Sequence, residues 1–246
     1  MSRRPPQIVA FGGGGFSMEA GNPLLDEYVL GLTGVKRPKV CFLPSASGDA
    51  DHYIVRFYRA FCTARCEPTH VSLFRRDKGA GLGVDIATHL LSQDLVYVGG
   101  GSVVSLLGVW RAHGLDDVLR QCWERGIVLC GLSAGSLCWF GEAVTAFHGP
   151  PQRVAGLGLL PYSNCVHYDG EPGRRDAYHR FMSAGMAPGY AASDGAALHF
   201  RGETLERVVA SRLTAAAYWV EEARGSVSEV QLPVRWLGES RTLSAA

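Results

Sequence analysis

A chain of 246 residues with 47% apolar content is long enough for one large α/β domain with a sizeable core and is not a disordered one. A formal net charge of +1 gives no basis for nucleic acid or an anionic membrane as partner. No apolar run reaches the roughly 18 residues of a membrane span. The opening residues, with Arg3, Arg4, Pro5 and Pro6, lack the apolar core of a signal peptide. Seven cysteines, an odd number, show no metal-type Cys-x-x-Cys spacing. Cys41, Cys130 and Cys138 lie in apolar runs and read as buried free thiols, so a cytoplasmic protein without disulfides is expected.

In chain order, Ile8 to Phe11 is a short apolar strand running into Gly12-Gly13-Gly14-Gly15. A strand followed by glycines invites a dinucleotide-binding reading. The run is not Gly-x-Gly-x-x-Gly, however, and no acid closes a second strand at the required place. A loop passing close to other backbone is the better reading. Pro23 to Leu32 has helical spacing, Lys39 to Leu43 is a buried-type strand, and Asp49 to Cys62 is helical. Its stripe of Tyr53, Phe57 and Phe61 reads as core rather than a cofactor box. Pro68 to Leu73 reads as a strand and Asp85 to Leu91 as a short helix.

Leu95 to Val98 is the next strand and ends at Gly99-Gly100-Gly101. Ser102 can cap the helix that follows, whose apolar face carries Val103, Leu106, Leu107 and Trp110. A helix over Leu115 to Arg125 leads to the strand Ile127 to Cys130. Repeated strand–helix units predict an α/β fold with a doubly wound, mostly parallel sheet and helices on both faces. Ligands of such sheets bind beyond the carboxyl ends of the strands, which makes Gly99–Gly101 and the next motif neighbours in space.

That motif is Gly131-Leu132-Ser133-Ala134-Gly135, between the buried strand and an apolar, helix-compatible segment. Strand, sharp turn with a serine at its tip, and helix make the pattern of a nucleophile elbow. In a chain with 31 glycines, the same five residues alone would be an unremarked small-residue turn. The flanking strand and helix are what favour the functional reading.

Past the elbow, Ser163 to Tyr168 is strand-like and Arg174 to Ala184 helical. Asp194-Gly195 is a tight turn between Tyr190–Ser193 and Ala196–Phe200. Arg207 to Ser211 and Ala216 to Val220 are closing strands, the last of them antiparallel. Val230 to Leu237 is one more alternating stretch before a polar end. With no linker and no repeat, residues 1–246 read as a single domain whose final ~20 residues form an extra strand or tail.

A serine hydroxyl needs a base, and the base needs an orienting group. Of eight histidines, His52, His70, His89, His113 and His179 lie in helical or polar stretches and read as surface residues. His148 sits in a glycine-proline loop, and His199 in an apolar strand suits a satisfied core position. His167 ends a strand-like run beside a polar turn, at the sheet edge that carries Ser133, and is the leading candidate.

Three features together resemble peptidase family S51, the family of aspartyl dipeptidase (peptidase E) and cyanophycinase. They are Tyr97-Val98-Gly99-Gly100-Gly101-Ser102, the Gly-Leu-Ser-Ala-Gly elbow, and His167 after Gly156-Leu157-Gly158-Leu159-Leu160-Pro161. The resemblance spans roughly residues 7 to 220 and implies the class I glutamine amidotransferase-like fold. It implies Ser133 as nucleophile and His167 as the base that takes the serine proton. Backbone N–H groups of Gly100 or Gly101, with that of Ala134, would form the oxyanion hole. One such donor is typically worth about 3 kcal/mol of transition-state stabilisation.

The third member departs from the family pattern. Peptidase E places an aspartate between serine and histidine, where this chain has Val144-Thr145-Ala146-Phe147-His148. The only carboxylate in the interval is Glu142, which makes it the first candidate, with Asp194 second and Asp169 a further alternative. A substrate with an N-terminal aspartate would need a cation, for which Arg174, Arg175 and Arg111 are candidates, and Asp194 is also counted among the candidate substrate contacts. An arginine pair in a polar segment also suits a solvated face.

The expected function is a serine peptidase-like hydrolase cleaving a small peptide or amide through an acyl-enzyme. No metal or cofactor is called for, and analogy with related folds suggests a homodimer. The alternatives are a non-catalytic binding or regulatory member that has lost the triad acid and, less favoured, an α/β-hydrolase esterase. In the esterase fold the histidine comes later in the chain and the oxyanion motif differs.

Overall fold

The computed structural model describes residues 4–74 and 85–238. The elbow strand, β5 (Val128–Leu132), is buried along its whole length. A strand can be apolar at every position only if both faces are covered, and its sheet supplies that cover. Eight strands stand in the order β14-β11-β10-β1-β5-β4-β2-β3. Here β1 is Gln7–Phe11, β2 Lys39–Leu43, β3 Glu67–His70 and β4 Leu95–Val98. On the far side are β10 (Ala196–Arg201), β11 (Thr204–Ala210) and β14 (Val234–Trp236). β1 to β5 in this sheet run parallel, while β10 is antiparallel to both β1 and β11.

Alternate side chains of these strands feed two separate cores. Val9, Phe11, Val40, Phe42 and Tyr97 meet Phe16 and the stripe made by Tyr53 and Phe57 of α3 (Asp51–Ala60) with Phe61 just past its end. Phe57 stacks on Phe42 at 4.7 Å and on Phe61 at 4.8 Å. The stripe is core, and each fully buried aromatic there contributes roughly 1.5–3 kcal/mol from burial. Ile8, Ala10, Cys41, Val96, Val98 and Leu129 face the opposite way. They pack on Trp110 of α5 (Val103–His113) and Leu119 of α6 (Leu115–Glu124). Ser102 caps α5 by accepting from Ser105 N–H at 3.1 Å.

The single sheet expected from the strand–helix repeat is accompanied by a second one. Its order is β13-β12-β9-β8-β6-β7. The strands are β6 (Phe140–Thr145), β7 (Gln152–Ala155), β8 (Leu160–Val166), β9 (Gly189–Ala192), β12 (Ala217–Ala223) and β13 (Ser226–Gln231). Phe140, Ala143, Leu160 and Ala192 join the same core as Ile8 and Leu129, so the two sheets share one apolar layer. α8 (Arg174–Ser183) closes the outer face with Tyr178 and Met182.

The segment after the elbow is where the expectation fails. α7 holds only Ala134–Leu137 before the chain enters β6. Gly141 and the β-branched Val144 and Thr145 favour a strand there over a longer helix.

Candidate functional site

Ser133 follows β5 with φ 52° and ψ −116°, a backbone conformation that costs a non-glycine residue about 1–3 kcal/mol. The flanking glycines permit the turn. A Cβ on Gly131 would run into the Gly135 carbonyl, and one on Gly135 into the Val98 carbonyl at the end of β4. The strain lifts Ser133 Oγ to the sheet edge, where it lies 2.9 Å from His167 Nε2. His167, itself at φ 54°, stands just past β8. Its Nδ1 is 2.6 Å from Asp194 Oδ1, in the turn between β9 and β10. Ser133 therefore comes from the first sheet and His167 from the second. Asp194 sits where the chain crosses from the second back to the first.

The N-terminal glycine run is built around this pair. His167 N–H donates to the Gly12 carbonyl at 3.0 Å, and Gly195 N–H to the Gly13 carbonyl at 2.9 Å. A Cβ on Gly13 would strike the Asp194 carboxylate and stand 3.0 Å from His167 Nδ1. The four glycines signalled a close approach in the sequence, but not its partner.

Glu142, the first candidate for the third position, is not brought to His167. It lies on β6, where its carboxylate pairs with Arg153 and accepts Ala187 N–H at 2.8 Å. Partial burial works to raise its pKa, but the Ala187 and Arg153 contacts outweigh it and hold the group below its ordinary value. Its placement follows from α7 ending after one turn. Asp169 is also committed elsewhere, to Arg175 at 2.6 Å and to the Tyr218 hydroxyl at 3.4 Å. Asp194, which the sequence offered both as second candidate for the acid and as a substrate contact, is the carboxylate at His167.

A cavity of about 420 Å³ opens over Ser133 and His167, with Gly100, Gly101, Glu171 and Arg174 in its lining. Gly100 N–H donates to the Tyr53 hydroxyl at 3.0 Å, so it is already spent as an oxyanion donor. The N–H groups of Gly101 and Ala134 have no acceptor among the described residues. The spacing of Tyr53 marks it as core alone. It is also a wall of this cavity, and nothing in the sequence separates the two roles.

Arg174 lines the cavity but is 4% exposed. Its Nη1 donates to the Val144 carbonyl at 3.3 Å and its Nη2 to Glu171. Arg175 does not line the cavity. It lies over the rings of Tyr168 and Tyr218 at 4.9 and 5.0 Å and pairs with Asp169 and Glu229. The expectation that it meets substrate is corrected: its neighbours satisfy it as a brace between α8 and β13. Arg111 lines a separate small hollow with Asp116 and Arg120.

Three further histidines, His148, His199 and His89, are engaged elsewhere. His148 Nε2 is 2.7 Å from Ser102 Oγ. His199 is a core residue between Tyr28 and Gln7, where burial lowers its pKa to about 4. His89 is buried against Thr69 rather than on the surface. All seven cysteines are free. Among the described residues, no group of three or more His, Cys, Asp or Glu is placed to hold a metal ion. None of the described helices is long and apolar enough to cross a membrane.

A strained serine at the end of a parallel strand, a histidine in contact with it and a carboxylate behind define a hydrolase-like site on an α/β scaffold. The profile of peptidase family S51 matches residues 8–208, and the chain belongs to that family. It is 48% identical over 233 residues to the uncharacterized peptidase YgaJ of Bacillus subtilis strain 168, an alignment covering 94% of this chain and 99% of the relative. The crystal structure of a peptidase from an acI-B1 actinobacterium superposes with a TM-score of 0.72 at 16% identity, covering 95% of this chain and 96% of that one. A peptidase E candidate from Listeria monocytogenes EGD-e gives 0.60 at 18% identity over 85% of this chain and all of its own. These two likenesses concern the fold.

Proposed function

We propose that the protein is a serine-type peptidase that cleaves a short peptide or amide through an acyl-enzyme on Ser133. The observation that carries this reading is the unbroken contact from Ser133 Oγ to His167 Nε2 at 2.9 Å and from His167 Nδ1 to Asp194 Oδ1 at 2.6 Å. With Nδ1–H donated to Asp194, Nε2 has its lone pair toward the serine hydroxyl and acts as general base. Ser133 Oγ attacks the scissile carbonyl, and its proton passes to His167. The oxyanion is received by Gly101 N–H and Ala134 N–H. The imidazolium, stabilised by Asp194, then protonates the leaving amine. Water repeats the sequence on the acyl-enzyme and frees Ser133.

A non-catalytic role was suggested by the lack of an acid between Ser133 and His167 other than Glu142. Asp194, later in the chain, removes that motive. Free thiols throughout suit a reducing compartment, and we place the activity in the cytoplasm.

The test is labelling by a serine-directed fluorophosphonate, alongside hydrolysis of a dipeptide panel that includes Asp-X members. The wild type is expected to label and to cut part of the panel. Ser133→Ala is expected to do neither. A folded wild type that neither labels nor cuts would sink the hydrolase reading.

A further inference from the structure

We propose that Glu171 sets the selectivity of this cavity by receiving the α-ammonium of an unblocked peptide whose first side chain is apolar. The proposal rests on the hydrolase reading above and names its substrate class.

Besides the Tyr53 phenol, whose charged form burial disfavours, four charged or chargeable side chains line the cavity: His167, Glu171, Arg174 and Asp194. His167 and Asp194 are occupied with each other. Arg174 is buried, and its guanidinium already serves Glu171 and the Val144 carbonyl. A substrate carboxylate seeking Arg174 would have to displace Glu171 or approach its like charge, and both oppose binding. Glu171 is placed differently. Its side chain is 47% exposed, and a carboxylate offers about four acceptor positions, so the Arg174 contact leaves several open. An ammonium can join this pair without breaking it. The charge the cavity offers to a ligand is therefore negative.

Glu171 is tied to the base by the chain itself, since its backbone N–H donates to the His167 carbonyl at 3.0 Å. The rest of the wall favours an apolar group. Leu132, Leu137 and Val166 lie inside, while Met18 and Phe147 are 43% and 59% exposed while lining the same cavity. Large apolar side chains held at a cavity wall lose water when a substrate side chain covers them.

The experiment compares p-nitroanilides of leucine, phenylalanine and aspartate with N-acetyl-leucine p-nitroanilide. Wild type, Glu171→Gln and Glu171→Asp are assayed, with thermal melting to confirm folding. In parallel, calorimetry on Ser133→Ala measures binding of Leu-Leu, Asp-Leu and N-acetyl-Leu-Leu. Free-amine leucine and phenylalanine substrates are expected to exceed the aspartate substrate in kcat/KM by about tenfold or more, the scale of one charge-assisted contact. Glu171→Gln should raise KM for the free amines by about tenfold. It should leave the acetylated substrate unchanged, and Glu171→Asp should recover part of the loss. Preference for aspartate would overturn the proposal. So would an equal loss on free and acetylated substrates, which marks a structural role. Hydrolysis with the ranking reversed defeats the selectivity alone. Binding by Ser133→Ala in the expected order, with no hydrolysis by wild type, supports the selectivity and defeats the hydrolase reading alone.

Discussion

Asp194 Oδ1 stands 2.6 Å from His167 Nδ1, although 27 residues and a helix separate them in the chain. The carboxylate in contact with the imidazole thus comes after it in sequence. Replacing Asp194 with Asn should leave the fold intact and lower kcat by about 10³–10⁴-fold, because the amide favours the wrong imidazole tautomer. Glu142→Gln should change kcat/KM by no more than about threefold, since an exposed ion pair such as that with Arg153 contributes little. Steady-state kinetics on any substrate the wild type cuts decides between them, and the reverse pattern would return the role to Glu142.

Tyr53 and Gly100 make a second test. The Tyr53 hydroxyl accepts Gly100 N–H and thereby fixes the glycine segment that presents Gly101. Tyr53→Phe should cost about 1 kcal/mol of stability, the net worth of one hydrogen bond. It should also lower kcat about tenfold at nearly constant KM, as expected for a loosened oxyanion donor. A rise in KM at unchanged kcat would mean that the hydroxyl meets ground-state substrate instead.

The glycines separate into required and idle ones. Gly131→Ala forces a Cβ against the Gly135 and Val98 carbonyls, both backbone, and should destabilise by about 3 kcal/mol or more, in line with overpacked sites. Gly108 lies exposed within α5 with open space at its Cβ position, and Gly108→Ala should stabilise by about 0.5–1 kcal/mol. Denaturant titration of both variants checks the pair.

Asp26 ties pH to stability. It is 2% exposed and accepts from the Tyr97 hydroxyl at 3.1 Å. Desolvation by burial is the largest influence on it, and its pKa rises from 3.8 to about 7. The folded state therefore holds a proton that the unfolded chain has released between those values. Stability is fully present below about 4 and falls as pH rises toward 7, by an amount on the order of 4 kcal/mol as an upper limit. Asp26→Asn should flatten this contribution and leave the variant more stable than wild type at pH 8. Urea midpoints measured from pH 5 to 8 would show it. A wild type whose stability climbs over that range for this group's share would refute the assignment.

What the sequence discloses is set by how local each cause is. β1, β2, β4, β5 and the helices between them are apolar runs punctuated by glycine, and they read directly. Ser133 and His167 carry their own turn and strand-end signatures. The second sheet was hidden because residues 134–145 have an apolar pattern that a helix could use, and only packing against the first sheet selects β6. Asp194 was visible only as a turn residue. Its partnership with His167 depends on β9 lying beside β8, a long-range pairing that no spacing encodes. Arg174 and Arg175 look alike as neighbours in sequence, yet successive positions on a helix point some 100° apart, which sends one into the cavity and the other onto Tyr168.

Because Ser133 belongs to one sheet, His167 to the other and Asp194 to the strand connection between them, the site measures how those sheets are registered. A slip of about 1 Å at the shared apolar layer would stretch the contact between Ser133 and His167 beyond hydrogen-bond range while leaving each sheet's own ladder whole. Turnover would then vanish before the circular dichroism signal does, and the enzyme would behave as a strain gauge for its own seam.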